Sequence, residues 1–430
     1  MIRKGISKLS LIIAIIIVVV IIIGAVYMLL PKKEAVKEIK IGVLQPLSGK
    51  LAETGADNKR GFEFMVNKIN ENGGIKSLGG AKIKLVWGDT AGDPSTGAAE
   101  AERLITEEHV VALMGAYQSS VTKTASEVAE RYGVPFINGD SSSPTLTERG
   151  YKWYFRTFSH DGMFAKQHVD FVKWLNQKYN AGIKKVAIIH EDTEWGTGCK
   201  NMWTKYFTEE GFEVVKVVSY HAATVTSLDA EVASLKAVNP DIVLAACYVS
   251  DAVLFMSTVK KLDFNPKAIL AMDAGFMVPS YIQQIGNTGF FVFSRAGFNW
   301  DLVKISPKLQ QYNEEYKKKY GIDISENSAK EIVAVITLYH ALEEAGKHAD
   351  PSDLNTFRQA LREALENMNL SADDVIPPWR GVKFDAKHQN ILGGGLVVQM
   401  MDDGKYHTVY PEEVATTEPV FPMPKWSERG

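Results

Sequence analysis

Apolar residues fall into three rhythms along the chain. The first is an unbroken aliphatic run over residues 11–30, without a charged side chain, in which Ile15, Ile16 and Ile17 are followed by Val18, Val19 and Val20. A helix of about twenty residues rises about 30 Å, one hydrocarbon thickness, so the run predicts a membrane-spanning helix. A secretory signal has a shorter apolar core, about 7–15 residues, and small residues at a cleavage site; neither feature is present. No Cys follows the run to carry a lipid, since Cys199 and Cys247 are the only two. The expectation is an uncleaved single-pass anchor with its linker over residues 1–38. Arg3, Lys4 and Lys8 before the run are matched by Lys32, Lys33 and Lys37 after it, so the positive-inside count is a tie.

The second rhythm is the short apolar run without alternation, as at 186–189 and 242–246, expected of parallel strands covered on both faces. The third is helical: Phe62, Met65, Val66 and Ile69 recur at spacings of three and four, then Gly73 and Gly74 stop the helix. Strands are predicted at 39–44, 83–87, 110–114 and 134–137, with helices after Asp93-Pro94 and at 119–132. A second series has helices at 162–179, 197–210, 227–238 and 251–262 and strands at 185–190, 213–218, 241–246 and 267–272. Strict alternation predicts parallel sheets wound by right-handed crossovers, an α/β class with two doubly wound lobes.

The carboxyl-terminal third breaks the pattern, with helices at 307–320, 328–345 and 354–366 and then short strands at 381–384, 395–401 and 407–410. These elements fit either a third domain or completion of the first two. Pro411, Pro419, Pro422 and Pro424 predict an extended tail.

Composition narrows the class. With 430 residues, 46% hydrophobic, the chain is long enough for two or three cores and is neither disordered nor a disulfide-stapled miniprotein. A net charge of −3 gives no reason to expect a nucleic-acid partner. The nine His lack the spacing of a helical metal site. Gly196-Thr197-Gly198 opens like a dinucleotide fingerprint, yet Asn201 stands at the third glycine position. Without a phosphate loop or a nucleophile elbow, no enzyme, cofactor or metal is implied. Cys199 and Cys247 fit two buried thiols or, in an oxidising compartment, a disulfide.

The string Ile39-Lys40-Ile41-Gly42-Val43-Leu44-Gln45-Pro46-Leu47-Ser48-Gly49, a helix closing on Asn70-Glu71-Asn72-Gly73-Gly74, and Asp89-Thr90-Ala91-Gly92-Asp93-Pro94 together resemble the leucine/isoleucine/valine-binding protein family. Gly115-Ala116-Tyr117-Gln118-Ser119-Ser120, Val134-Pro135-Phe136-Ile137 and Phe155-Arg156-Thr157 follow in the family's order. The resemblance implies a type I periplasmic-binding fold and service as the extracytoplasmic substrate-binding protein of an ABC importer, with permease subunits as partners. It also implies chain crossing: lobe 1 from 39–158 plus 291–390, lobe 2 from 159–290 plus the tail 391–430, and a hinge of three strands.

Candidate ligand contacts lie at strand ends, where open α/β sheets bind. Ser119 starts a helix, whose free N–H groups attract an anion; position alone also fits an ordinary N-cap, and the resemblance implies a grip on a ligand carboxylate. Ser142, in Asp140-Ser141-Ser142-Ser143-Pro144, matches a hydroxyl-bearing contact. Asp140 departs from the family's small residue there, and either holds a second ligand amine or faces water. Asp273 matches the acid that pairs with a ligand ammonium, and Trp195 and Tyr248 match aromatic cleft residues of the second lobe. Thr54, where some relatives carry an aromatic, and Gln118, where they carry a small residue, alter the side-chain pocket. The alternative with the same fold is a sensor ectodomain for amides or related molecules.

Overall fold

A computed structural model describes residues 36–429, with Ile16, Ile17 and Val19. Most of the apolar run 11–30, and with it the expected anchor, lies outside the described residues, among which no helix is long and apolar enough to cross a membrane.

The first series is β1 (Glu38–Gln45), α1 (Ala52–Glu71), β2 (Lys82–Asp89), α2 (Pro94–Thr106), β3 (Ala112–Gly115), α3 (Ser119–Tyr132), β4 (Phe136–Asn138) and β5 (Tyr154–Arg156). Its strands form one parallel sheet in the order β2-β1-β3-β4-β5. Leu44, Leu113 and Phe136 on these strands pack with Leu104, Val121, Ala125 and Val128 of α2 and α3 in a buried core. Caps set the helix ends. The Asp93 carboxylate accepts the Thr96 N–H at 2.8 Å before α2, and Gly133, at φ +65°, closes α3 in a left-handed turn.

The second series is α4 (Asp161–Tyr179), β6 (Lys185–Glu191), α5 (Glu194–Glu209), β7 (Glu213–Tyr220), α6 (Asp229–Ala237), β8 (Ile242–Ala246), α7 (Val249–Lys261), β9 (Ala268–Ala271), α8 (Pro279–Ile285) and β10 (Phe293–Ala296). After α9 (Pro307–Tyr320), α10 (Glu326–His348), α11 (Leu354–Glu366) and the small pair β11 (Asn369–Ser371) and β12 (Gly381–Lys383), the chain adds β13 (Leu396–Met400) and β14 (Tyr406–Tyr410). The second sheet has the order β14-β13-β10-β9-β8-β6-β7, in which β13 alone runs antiparallel to its neighbours β10 and β14.

The carboxyl-terminal third completes the first two layers instead of forming a third domain. Helix α10 packs on α1, where the Ser328 hydroxyl donates to the Asp57 carbonyl at 2.8 Å, and α11 reaches the first sheet through Arg358, which donates to the Val110 carbonyl. Strand β10 lies in the second sheet, so the crossing back toward the first falls after Ala296 rather than at 291. The tail follows the second sheet, with the Met423 N–H on the Lys267 carbonyl at 2.8 Å.

Three segments run between the sheets and are tied side by side. Gln389 donates to the Phe158 carbonyl at 2.7 Å, Asn390 to the Thr157 carbonyl at 2.9 Å, and Ser159 to the Gly394 carbonyl at 3.0 Å. Gly297 on the remaining crossing lies so close to Phe158 that a Cβ there would stand 2.2 Å from its ring.

Candidate functional site

Both sheets reverse their winding at the second strand, β1/β3 in one and β6/β8 in the other, and open α/β sheets bind ligands at such points. The loops at the two carboxyl edges meet around a cavity of about 20 Å³ lined by Tyr117, Ser119, Asp140 and Ser142 from one side and Trp195, Tyr248, Asp273, Ala274 and Arg295 from the other. Larger hollows, about 300 Å³ beside α1, α9 and α10 and about 450 Å³ around Trp379 and Pro411, are not built from the two sets of strand ends.

Six of the eight sequence candidates therefore meet: Ser119, Asp140, Ser142, Trp195, Tyr248 and Asp273. Gln118 and Thr54 do not line the cavity. Gln118 is the N-cap residue of α3 but does not cap with its side chain, which donates instead to the Gly92 carbonyl at 3.2 Å. Thr54 is buried on α1. Ser119 is thus the first residue of α3 rather than its cap. Its hydroxyl accepts the Ser143 N–H at 3.2 Å at the positive end of a 14-residue helix. The buried Tyr117 hydroxyl has no hydrogen-bond partner.

Three aromatic rings wall the cleft. Tyr248 lies 5.0 Å from Trp195 and, across the cleft, 6.1 Å from Tyr117 between ring centroids. Trp195 is fixed in the first turn of α5, where the Glu191 carboxylate accepts the N–H groups of Thr193 and Gly196.

Asp140 does not face water. One carboxylate oxygen accepts from Lys330 Nζ at 2.9 Å and the other from Asn58 at 3.1 Å. Lys330 also donates to Asp273 at 3.1 Å and lies 3.4 Å from Glu326. Arg295 Nη1 binds Asp273 at 3.0 Å and Glu326 at 3.2 Å, and all these side chains are buried. Asp273 is held at φ +58°, a region that L residues adopt at a cost of about 1–3 kcal/mol and that clusters at binding sites.

Sequence reasoning missed Arg295 and Lys330. The signal for Arg295 was a cation inside the otherwise apolar stretch 290–298; for Lys330 it was a Lys-Glu pair directly before the apolar run 332–336.

The network sets the site's charge. Burial alone would lower the Lys330 ammonium, but Asp140, Asp273 and Glu326 hold it well above its ordinary value. Burial raises Asp273, yet Lys330 and Arg295 outweigh it and keep that carboxyl low. Burial, with Asp273 beside it, pushes Glu326 up to about 8, and burial with Asp140 nearby holds Glu331 well above the carboxylate range. Burial likewise raises Asp140 against the pull of Lys330, and Lys330 and Arg295 thus face Asp140 and Asp273 across the site. Cys199 and Cys247 are free and buried, and among the described residues no cluster of potential metal ligands occurs.

A fold of two such sheets joined by crossing strands defines the bilobal binding proteins. The family model described as periplasmic binding protein matches residues 38–405, and the chain belongs to that family. It is 31% identical over 395 residues to a Leu/Ile/Val-binding protein homolog 7 of Brucella suis biovar 1 (strain 1330), covering 90% of this chain and 95% of the relative. A branched-chain amino acid transporter substrate-binding protein of Streptococcus pneumoniae, solved with isoleucine, superposes with a TM-score of 0.71 at 24% identity, over 90% of this chain and 100% of that one. A solute-binding protein of an ABC transporter from R. palustris, solved with benzoate, gives 0.73 at 21% identity, over 86% and 95%.

Proposed function

We propose that this protein is the extracytoplasmic solute-binding component of an ABC importer, and that it closes its two lobes on a small carboxylate-bearing solute of amino-acid size and delivers it to permease subunits. The observation that carries this reading is the cavity lined from the carboxyl edges of both sheets, with Ser119 at a helix start on one side and Arg295 on the other. Isoleucine and benzoate, named in the two solved complexes, share a carboxylate. A cavity of about 20 Å³ holds one or two waters, so solute enters an opened cleft and the lobes rearrange around it. Lobe 1 comprises the first sheet with α1–α3, α10 and α11; lobe 2 comprises the second sheet and the tail; the three crossing segments are the hinge. Residues 11–30 hold the protein in the cell membrane as a single-pass anchor, the length and apolarity of the run being the support.

Isothermal calorimetry of the full chain in detergent, against amino acids, amides and simple carboxylates, tests the reading. Micromolar or tighter binding of some carboxylate-bearing member is expected, and silence across the panel overturns it. Retention of the protein in the membrane fraction after alkaline extraction, lost when residues 1–35 are removed, tests the anchor.

A further inference from the structure

The acidic pole of the cleft is already occupied by the chain itself. A ligand ammonium needs a carboxylate whose charge is not already compensated, yet Asp140 gives one oxygen to Lys330 and the other to Asn58. Asp273 accepts from both Lys330 and Arg295 through one oxygen. Lys330 is held in place by α10, whose Asn327 accepts from it at 3.4 Å. An incoming ammonium would lie near Arg295, a cation in the cavity wall whose guanidinium packs 4.2 Å over the Phe164 ring. By contrast the opposite pole offers Ser119, the amino end of α3 and the unpartnered Tyr117 hydroxyl, all suited to an anion. The walls of Tyr117, Tyr248 and Trp195 suit an apolar or aromatic body.

Building on the reading that the cleft takes a small carboxylate, we propose that Lys330 stands in for the ligand's ammonium group, and that the site therefore selects carboxylates lacking an α-amino group over the matching amino acids. Lys330 is on this account a specificity-determining residue: it satisfies Asp140 and Asp273 from within, so a zwitterion must either displace a buried lysine or leave its own charge unpaired, and both are costly.

Matched pairs isolate the amine: alanine with propanoate, leucine with 4-methylpentanoate, phenylalanine with 3-phenylpropanoate, each titrated by calorimetry into the full chain in detergent. The amine-free member of any pair that binds is expected to bind at least about tenfold more tightly. In Lys330→Met, which leaves Asp140 without a cation and Asp273 with Arg295 alone, that preference is expected to shrink by about tenfold or reverse. If Lys330→Met does not fold, Lys330→Met with Asp140→Asn, which removes one stranded charge, replaces it, and the wild-type ratio stands as a test by itself. An amino acid bound as tightly as its amine-free partner overturns this inference and leaves the proposed function standing. A preference unchanged by loss of Lys330 overturns the role of that residue. Silence toward both members of every pair counts against this inference and against the proposed function together.

Discussion

Lys330 and Arg295 bridge carboxylates that come from both sides of the cleft, so the same residues set its charge and tie its two walls together. Breaking a buried pair of this kind by removing one partner costs about 3–5 kcal/mol, because the other charge is stranded. Glu326 adds a pH term. In the fold it keeps its proton up to about 8, whereas an unfolded glutamate loses it near 4.5. The native state therefore binds more protons between these values, and the contribution of Glu326 to stability declines as pH rises through that interval. Glu326→Gln cannot ionise, so its stability relative to wild type is expected to improve steadily in urea melts from about pH 5 to about pH 8; a constant difference would contradict the assignment. Ser119→Ala removes a hydroxyl at the anion pole and is expected to weaken solute binding by about tenfold or more, the value of a hydrogen bond to a charged group, as read by calorimetry.

Elements with strong end signals were fully legible. The predicted 119–132, 307–320 and 354–366 coincide with α3, α9 and α11, whose ends carry Gly133, the Ser306 cap before Pro307, and the Asp353 cap. Two buried strands were missed. β5 ends in Arg156, a fully buried residue satisfied by the Ser141 and Ser143 carbonyls and by Gln389; β10 contains Ser294 and Arg295. Neither reads as an apolar run, because in both a buried polar group is satisfied by partners distant in sequence. The candidate site was legible where a residue follows a strand end, as with Ser119, Ser142 and Asp273. It was not legible for Lys330, which reaches the cleft from the middle of the chain's third segment through the packing of α10 on α1. The crossing segments make their own prediction. Gly297→Ala would force a methyl group against the Phe158 ring, and overpacking of this kind costs about 1–3 kcal/mol. A lower thermal midpoint is expected, with weaker solute binding because the hinge can no longer close fully; an unchanged midpoint and affinity would show that the crossings have slack.

For the whole molecule, closure is held at the rim as well as at the centre. Glu194 of α5 reaches across to Lys123 at 3.0 Å and accepts from Ser143 at 3.3 Å and from Thr145. Lys50 reaches the Ala223 carbonyl at 3.0 Å. Partly exposed ion pairs contribute no more than about 1 kcal/mol, so Glu194→Ala is expected to speed solute release by less than about tenfold while leaving association nearly unchanged. Stopped-flow measurement of both rates checks this; a slower association with unchanged release would contradict it.

On the proposed function, solute binding and lobe closure are one event. Because Cys199 and Cys247 are buried, fluorophores can be attached selectively to cysteines introduced at the exposed positions Glu127 on α3 and Asn201 on α5, on opposite sides of the cleft. Single-molecule energy transfer in the full chain is then followed during titration with whichever carboxylate of the matched pairs binds by calorimetry. An open population with low transfer is expected to convert to a closed one at the concentration where calorimetry shows binding. Saturation with no change in the distance distribution would contradict it.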